Sequence, residues 1–527
     1  MSSSPASPDS PADPDPNDLG PGIDANDLAT TLRVLEALPH LPAGHPDIQT
    51  VKRATGTMYK RIRKVRRAEE RAATLGPLRE ADERVLSSTA TGSPMRIDDE
   101  TKGIPLVSAV KGATAGELNT ARGCYICHTK YTTVDAFYHW LCPDCAAMSH
   151  ARRDQHTDLR GKRALLTGGR AKIGMYIALM LLRDGAELTI TTRFPRDAAR
   201  RFSALADSPE WLDRLTVVGI DLRDPTQVVA LADEVAAGGP LDILINNAAQ
   251  TVRRSPGAYA DLVTNESVPL AADLPTPHLI TFDRISEAHP ASLVRSLHET
   301  PHTHADGVAE RGGAGDATTV AFEHAARSAA AMTSLALTAG QASLTAHQAG
   351  TAIDAGGLRP DLQTVNSWTQ KVEEVDPLEL LEVQMCNSVA PFILVSRLRP
   401  SLRAAVQAGA RRSYVVNVSA MEGQFSRRYK GPGHPHTNMA KAALNMFTRT
   451  SAGEMFEQDR ILMTAVDTGW ITDERPHHEK LRIAEQGWRA PLDLVDGAAR
   501  VYDPIVRGER GEDLYGAFLK DFEPSPW

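Results

Sequence analysis

Aromatic residues make up only 5% of the 527-residue chain, so any core must rest mainly on aliphatic side chains, which the 42% hydrophobic content can supply. The charge does not lean far either: a formal net charge of −8 gives no global case for nucleic-acid binding. No apolar run approaches the roughly 18–20 residues needed to span a bilayer. The opening MSSSPASPDSPADPDPND lacks the basic start and apolar centre of a secretory signal. These absences predict a cytoplasmic protein that engages no membrane. Cysteine is scarce too. Four of the five cysteines fall in two CxxC pairs, which in a reducing compartment favours metal binding over disulfides.

Residues 1–23 are rich in Ser, Pro and Asp and are expected to be disordered, because they cannot bury enough apolar surface to offset the entropy of ordering. Residues 24–100 read as helical. ANDLATTLRVLEAL from Ala25 has apolar residues at helical spacing with Asp27 as a cap, and a second helical stretch runs from about His45 to Leu86. Its centre, KRIRKVRRAEERAA, is basic enough to suggest an anionic partner. Glu69, Glu70, Glu80 and Glu83 dilute that patch and favour a solvated, charge-paired helix face, which argues against nucleic acid.

Residues 101–157 hold Cys124-Tyr-Ile-Cys127 and Cys142-Pro-Asp-Cys145. Two such knuckles can place four thiolates tetrahedrally around zinc; the competing reading is redox-active or free thiols. His128, His139, His150 and His156 stand nearby, but four cysteines already complete a closed, structural site. The intervening YTTVDAFYHWL is expected to form a miniature core over the metal.

From residue 158 onward strands alternate with helices. Lys162–Thr167, Ala186–Thr192, Leu215–Ile220 and Leu241–Asn246 read as strands, then YVVNV after Ser413, Arg460–Asp467, and a last strand over Asp513–Leu519. That alternation predicts an α/β, Rossmann-type doubly wound parallel sheet. Between the first strand and its helix lies Gly168-Gly-Arg-Ala-Lys-Ile-Gly174, a glycine turn suited to cradling a pyrophosphate at a helix N-terminus. Residues from about 256 to 362 interrupt the pattern. Their Gly/Ala content and scattered His298, His302 and His304 suit a mobile insertion beside the substrate mouth.

In this order the motifs resemble those of the short-chain dehydrogenase/reductase family, over about Leu159 to Trp527 without the insertion. Thr167-Gly168-Gly169-Arg170-Ala171-Lys172-Ile173-Gly174 is similar to the family's TGxxxGxG, with Lys172 at the middle glycine. The resemblance implies that Asp221-Leu222 lies at the adenine and that Asn246-Asn247-Ala248-Ala249 is the family's NNAG turn. It also implies that Thr468–Thr472 is the turn around the nicotinamide amide. Arg193, at the end of the second strand, suits a ribose 2′-phosphate, so NADP(H) is expected over NAD(H). The expected cofactor residues are therefore Thr167, Gly168, Gly169, Lys172, Ile173, Gly174, Arg193, Asp221, Leu222, Asn247, Ala248, Ala249, Lys441 and Thr472.

The same resemblance makes Asn387 the asparagine of a proton relay and Lys441 the active-site lysine. It implies reduction of a carbonyl, or oxidation of a hydroxyl, on a small molecule. Thr437 stands where the family's catalytic tyrosine would be, and Ala420 where its serine would be, with Ser419 one residue early. Ser419 and Thr437 are then the hydroxyl candidates, and His436, beside the vacated position, is the first alternative proton donor ahead of Tyr429. Cys386 reads as a small buried residue. The alternative is a catalytically weak dinucleotide-binding sensor or scaffold acting through its zinc module. Homo-oligomerisation through the helices of Asn387 and Lys441 is a further implication of the resemblance.

Overall fold

The computed structural model describes residues 22–93, 112–282 and 358–527, apart from 360, 362, 428 and 473. The expected disorder of the N-terminal tail falls, up to residue 21, outside the described residues, as does the stretch 283–357 with His298, His302 and His304. The chain divides into two units, Met1–Glu80 and Ala81–Trp527.

In the first unit, α1 spans Ala25–Ala37. Its cap is Asp24, whose carboxylate accepts from the N–H groups of Asn26 and Asp27, so the cap lies three residues before the expected Asp27. Helix α2, Pro46–Ser87, starts in this unit and continues into the second. Its basic centre is exposed, with Arg66 and Glu70 paired one turn apart at 3.2 Å.

The second unit is organised by a nine-stranded sheet. Its strands are β3 (Arg163–Leu166), β4 (Glu187–Thr192), β5 (Leu215–Gly219), β6 (Ile243–Asn246), β7 (His278–Thr281), β8 (Ser413–Ser419), β9 (Ile461–Asp467), β10 (Phe518–Lys520) and β11 (Glu523–Ser525). The order is β11-β10-β9-β8-β6-β3-β4-β5-β7, parallel throughout except for the terminal β10–β11 hairpin. Strands β8 and β9 are buried along their whole length, as continuous apolar runs between two helical layers must be. The helices covering the sheet include α4 (Lys172–Arg183), α5 (Pro195–Ser203), α6 (Pro225–Ala237) and α7 (Ala260–Ser267). After the insertion come α8 (Pro377–Gln384), α9 (Ala390–Gln407), α10 (Pro435–Asp459), α11 (His477–Glu485) and α12 (Leu494–Glu509). This is the Rossmann-type doubly wound sheet that the alternation predicts.

Three features differ from the sequence reading. The insertion contributes β7, which pairs in parallel with β5 and extends the sheet by one edge strand. The last parallel strand begins only at Phe518, because Asp513–Ala517 forms the approach to it. Finally, Pro377–Gln407 is long and apolar enough, by length and composition, to cross a membrane. Here Leu394, Leu398 and Leu402 of this segment pack in the core with Val228 and Leu231 of α6. Its two helices, α8 and α9, join through a π-helical turn, Met385–Val389, that carries Asn387.

The cysteine module comprises the antiparallel pair β1 (Thr114–Gly123) and β2 (Lys130–Asp135), followed by α3 (Pro143–Arg153). Val134, Phe137, Tyr138 and Leu141 are buried there, and the cluster continues into Ile471, Leu492 and Leu494 of the sheet domain. Polar contacts tie the same two surfaces. The Tyr138 hydroxyl donates to Asp496 at 2.5 Å and the Arg153 guanidinium to Asp493 at 2.5 Å, all fully buried.

Candidate functional site

A cavity of about 720 Å³ opens at the carboxyl ends of β3, β4, β6, β8 and β9, where a doubly wound sheet leaves a crevice. Its floor is the glycine turn. Gly168 has φ +71°, the left-handed region that glycine enters without a side-chain clash, and a Cβ there would lie 3.0 Å from Ala248. At Gly169 a Cβ would meet Ile190 at 2.6 Å, and at Gly174 it would meet the Gly168 carbonyl at 2.0 Å, so these three positions hold the turn tightly against helix and sheet. Lys172 also has a positive φ, +53°, an unfavourable conformation for a residue with a Cβ, and it lines the cavity.

The next wall is the Asn-Asn-Ala turn, clamped to the first. Thr167 accepts the Asn247 and Ala248 N–H groups at 3.0 Å, and the Asn247 amide donates to the Thr167 and Gly168 carbonyls. Thr167 and Gly169 thus support the wall from behind; Gly168, Lys172, Ile173, Gly174, Asn247, Ala248 and Ala249 form it. Asn387 lies behind the same turn and holds Gln250 at both ends: its Oδ1 accepts the Gln250 N–H at 2.7 Å and its Nδ2 donates to the Gln250 carbonyl at 2.9 Å. With both ends of its amide occupied, the Asn387 side chain positions this turn rather than facing the cavity.

At one end of the cavity Arg170, Arg193 and Arg223 converge. Asp221 is buried and bonded by Arg223 at 2.7 Å; burial raises its carboxyl, but the Arg223 charge overrides this and holds it well below the ordinary range. Arg170 pairs with Asp197 at 2.5 Å. Arg193 lies over the rings of Phe194 and Tyr259 and donates to the Tyr259 hydroxyl at 3.3 Å. Tyr259 comes from the first turns of the insertion, a contribution that no motif in the sequence signals. Leu222 and Thr472 also line the cavity.

At the other end stand Ser419, Ala420, Thr437, Lys441 and Asp467. Lys441 donates from Nζ to the Val418 carbonyl at 2.8 Å, and burial lowers its ammonium to about 8. Ser419 donates to Asn445 Oδ1 at 2.5 Å, so its hydroxyl is engaged behind the strand end. The Thr437 hydroxyl is buried and meets no hydrogen-bond partner among the described residues. Asp467 is the residue that sequence reasoning missed. Burial pushes its carboxyl up to about 6, although it accepts the Gly469 N–H at 3.0 Å.

The donor candidates of the preceding segment lie elsewhere. Helix α10 starts at Pro435, so His436 is in its first turn rather than in a loop. His436 is buried outside the cavity wall, with Nε2 3.8 Å from Glu379. Tyr429 is 77% exposed.

The thiol sulfurs of Cys124, Cys127, Cys142 and Cys145 lie within 4.8 Å of one another, and Cys127 and Cys142 are 3.6 Å apart. A tetrahedral zinc with bonds of about 2.3 Å separates its sulfurs by about 3.8 Å, so the donor set fits. Neighbouring histidines are engaged otherwise: His139 with Thr91 at 2.8 Å, His150 with Asp135 at 3.1 Å and His156 with Asp184 at 2.7 Å.

Residues 162–266 match the family model described as short chain dehydrogenase. An uncharacterised protein of Acanthamoeba polyphaga mimivirus is 29% identical over 400 residues, covering 73% of this chain and 71% of the relative. A probable oxidoreductase of Streptomyces antibioticus is 41% identical over 91 residues, which is 17% of this chain and only 30% of the relative. Among solved structures, an NADPH-bound carbonyl reductase from chicken fatty liver aligns at 17% identity with a TM-score of 0.39, covering 70% of this chain and all of that one.

Proposed function

We infer that the chain is an NADP(H)-dependent oxidoreductase of the short-chain dehydrogenase/reductase type, acting on a carbonyl or hydroxyl of a small molecule. The observation that carries this is the single cavity joining the glycine turn, Arg193, the Asn247–Ala249 turn and Lys441. The pyrophosphate would lie on the N–H groups opening α4, with Lys172 beside it; the adenine on Asp221 and Leu222; the 2′-phosphate among Arg170 and Arg193. Bound there, the nicotinamide supplies the hydride.

What the chain adds is proton handling and positioning. Lys441, with an ammonium lowered to about 8, suits binding of ribose hydroxyls and a share in proton movement near neutral pH. Thr437 puts no phenol and Ala420 no serine at those two positions, and the Ser419 hydroxyl next to them is engaged by Asn445. Asp467, raised to about 6, is then the cavity acid best matched to donating a proton to a developing alkoxide, with the Thr437 hydroxyl free to bond the substrate oxygen. Cys124, Cys127, Cys142 and Cys145 would hold a structural zinc, which would fix the fold of the module. Turnover of a carbonyl panel with NADPH tests this reading, with Lys441→Ala and Asp467→Asn as controls: loss of turnover in both supports it, and undiminished turnover in Lys441→Ala contradicts it.

A second reading, a dinucleotide-binding sensor with little turnover, draws on the same Ala420 and Thr437. Saturable NADPH binding with no turnover across the panel would favour it.

A further inference from the structure

The cysteine module reaches the cavity directly. Tyr125, the residue between the first two thiolates in Cys124-Tyr125-Ile126-Cys127, lines the cavity wall. Its backbone is fixed by the knuckle: the Tyr125 N–H donates to the Trp140 carbonyl at 2.9 Å, the Cys124 N–H to the Thr129 carbonyl at 2.9 Å and the His128 N–H to the Cys124 carbonyl at 3.1 Å. Its hydroxyl crosses to the sheet domain and accepts the Trp470 N–H at 2.9 Å.

That contact falls on the turn after β9, which with Asp467, Thr468, Gly469 and Thr472 forms one end of the cavity. The turn is held from both sides. Asp467 takes the Gly469 N–H from within the sheet, and Tyr125 takes the next N–H from the module. Ile471, one residue further, is buried in the module's own core with Cys124 and Cys142.

We propose that Tyr125 is a positioning residue of the dinucleotide cavity and that metal held by the four cysteines sets its position, so that metal occupancy governs affinity for the dinucleotide. The proposal rests on the dinucleotide reading of the cavity. Its physical basis is the meeting of two features: four sulfurs within 4.8 Å, a spacing that a tetrahedral cation holds, and a hydrogen bond from the turn to the residue attached to the first of them. Zinc in such a module would thus do more than stabilise the fold. It would pre-shape one end of the ligand site, 345 residues away in sequence.

The test uses the full chain, zinc-loaded or stripped with a chelator, as wild type and as Tyr125→Phe. NADPH affinity is read by its fluorescence, and the Trp470 environment by 19F NMR after 5-fluorotryptophan incorporation, with Trp470→Phe to assign the resonance. In the zinc-loaded state Tyr125→Phe should retain its metal and its melting temperature yet bind NADPH roughly five- to tenfold more weakly, the worth of one hydrogen bond. Stripping zinc should weaken binding in wild type and add little in Tyr125→Phe, the non-additivity of residues acting as one unit. The Trp470 resonance should follow zinc in wild type and much less in the variant.

Equal NADPH affinity of zinc-loaded wild type and Tyr125→Phe overturns the proposal, as does a zinc effect of the same size in both. If no form binds NADPH while the Trp470 resonance still follows zinc through Tyr125, the dinucleotide reading fails and the coupling stands.

Discussion

Ser419 on β8 and Asp467 on β9 are direct register partners at the last rung of two adjacent, fully buried strands. They close their strands side by side, but their chemistry diverges: the serine hydroxyl is turned onto Asn445, while the aspartate lines the cavity with a carboxyl raised to about 6 by burial. If protonated Asp467 assists carbonyl reduction, kcat/KM falls as pH rises above about 6, and Asp467→Asn removes that inflection together with roughly 10²-fold or more of the rate. A pH–rate profile unchanged by Asp467→Asn assigns the acid elsewhere.

Lys441 carries a stability cost that can be read independently of turnover. Its ordinary value of 10.5 is lowered to about 8 by burial, so between these limits the unfolded chain binds more protons than the folded one. Stability therefore rises with pH across that window, and the full cost applies below it. Lys441→Met should melt higher than wild type at pH 7 and lose the advantage as pH approaches 10.5, while turnover is abolished. A melting difference that does not change with pH would contradict the buried, depressed lysine.

Lys172 occupies a left-handed backbone position where glycine is at ease. Lys172→Gly should therefore stabilise the fold by about 1 kcal/mol, as thermal unfolding would show. If its ammonium meets the pyrophosphate, the same change should weaken NADPH binding by roughly tenfold. Changes of the same sign in both measurements would separate Lys172 from the cofactor.

Arg193 sets the proposed choice of dinucleotide. Arg193→Ala should raise the Kd for NADPH by roughly 10–100-fold, the worth of a hydrogen bond to a charged group, and leave NADH within about threefold. Parallel losses for both dinucleotides would instead place its role in holding Tyr259 and Phe194.

Much of this architecture was legible because its signals are local. The buried strands are unbroken aliphatic runs, Gly168 and Gly174 stand where only a missing Cβ fits, and the two CxxC pairs bring four sulfurs together. Contacts made only by folding were not legible. β7 is a four-residue strand with no alternation of its own, made a strand by the open edge of β5. Tyr259 reaches the cavity from a segment that carries no motif, Tyr125 and Asp467 sit in or beside motifs whose spacing does not tell that these two line it, and Asn387 spends both ends of its amide on Gln250. His436 is the converse case: adjacent in sequence to the vacated position, it is turned by the start of α10 toward Glu379 and away from the cavity.

The most direct test of the account is a titration of the chain with NADPH, followed by nicotinamide fluorescence, in wild type and in Gly174→Ala. In the variant the new Cβ would lie 2.0 Å from the Gly168 carbonyl and close the turn against the pyrophosphate. The account predicts saturable binding of one NADPH per chain in wild type, and at least a tenfold loss in a variant whose circular dichroism is unchanged. Absence of saturable binding by the wild-type, zinc-loaded chain would contradict it.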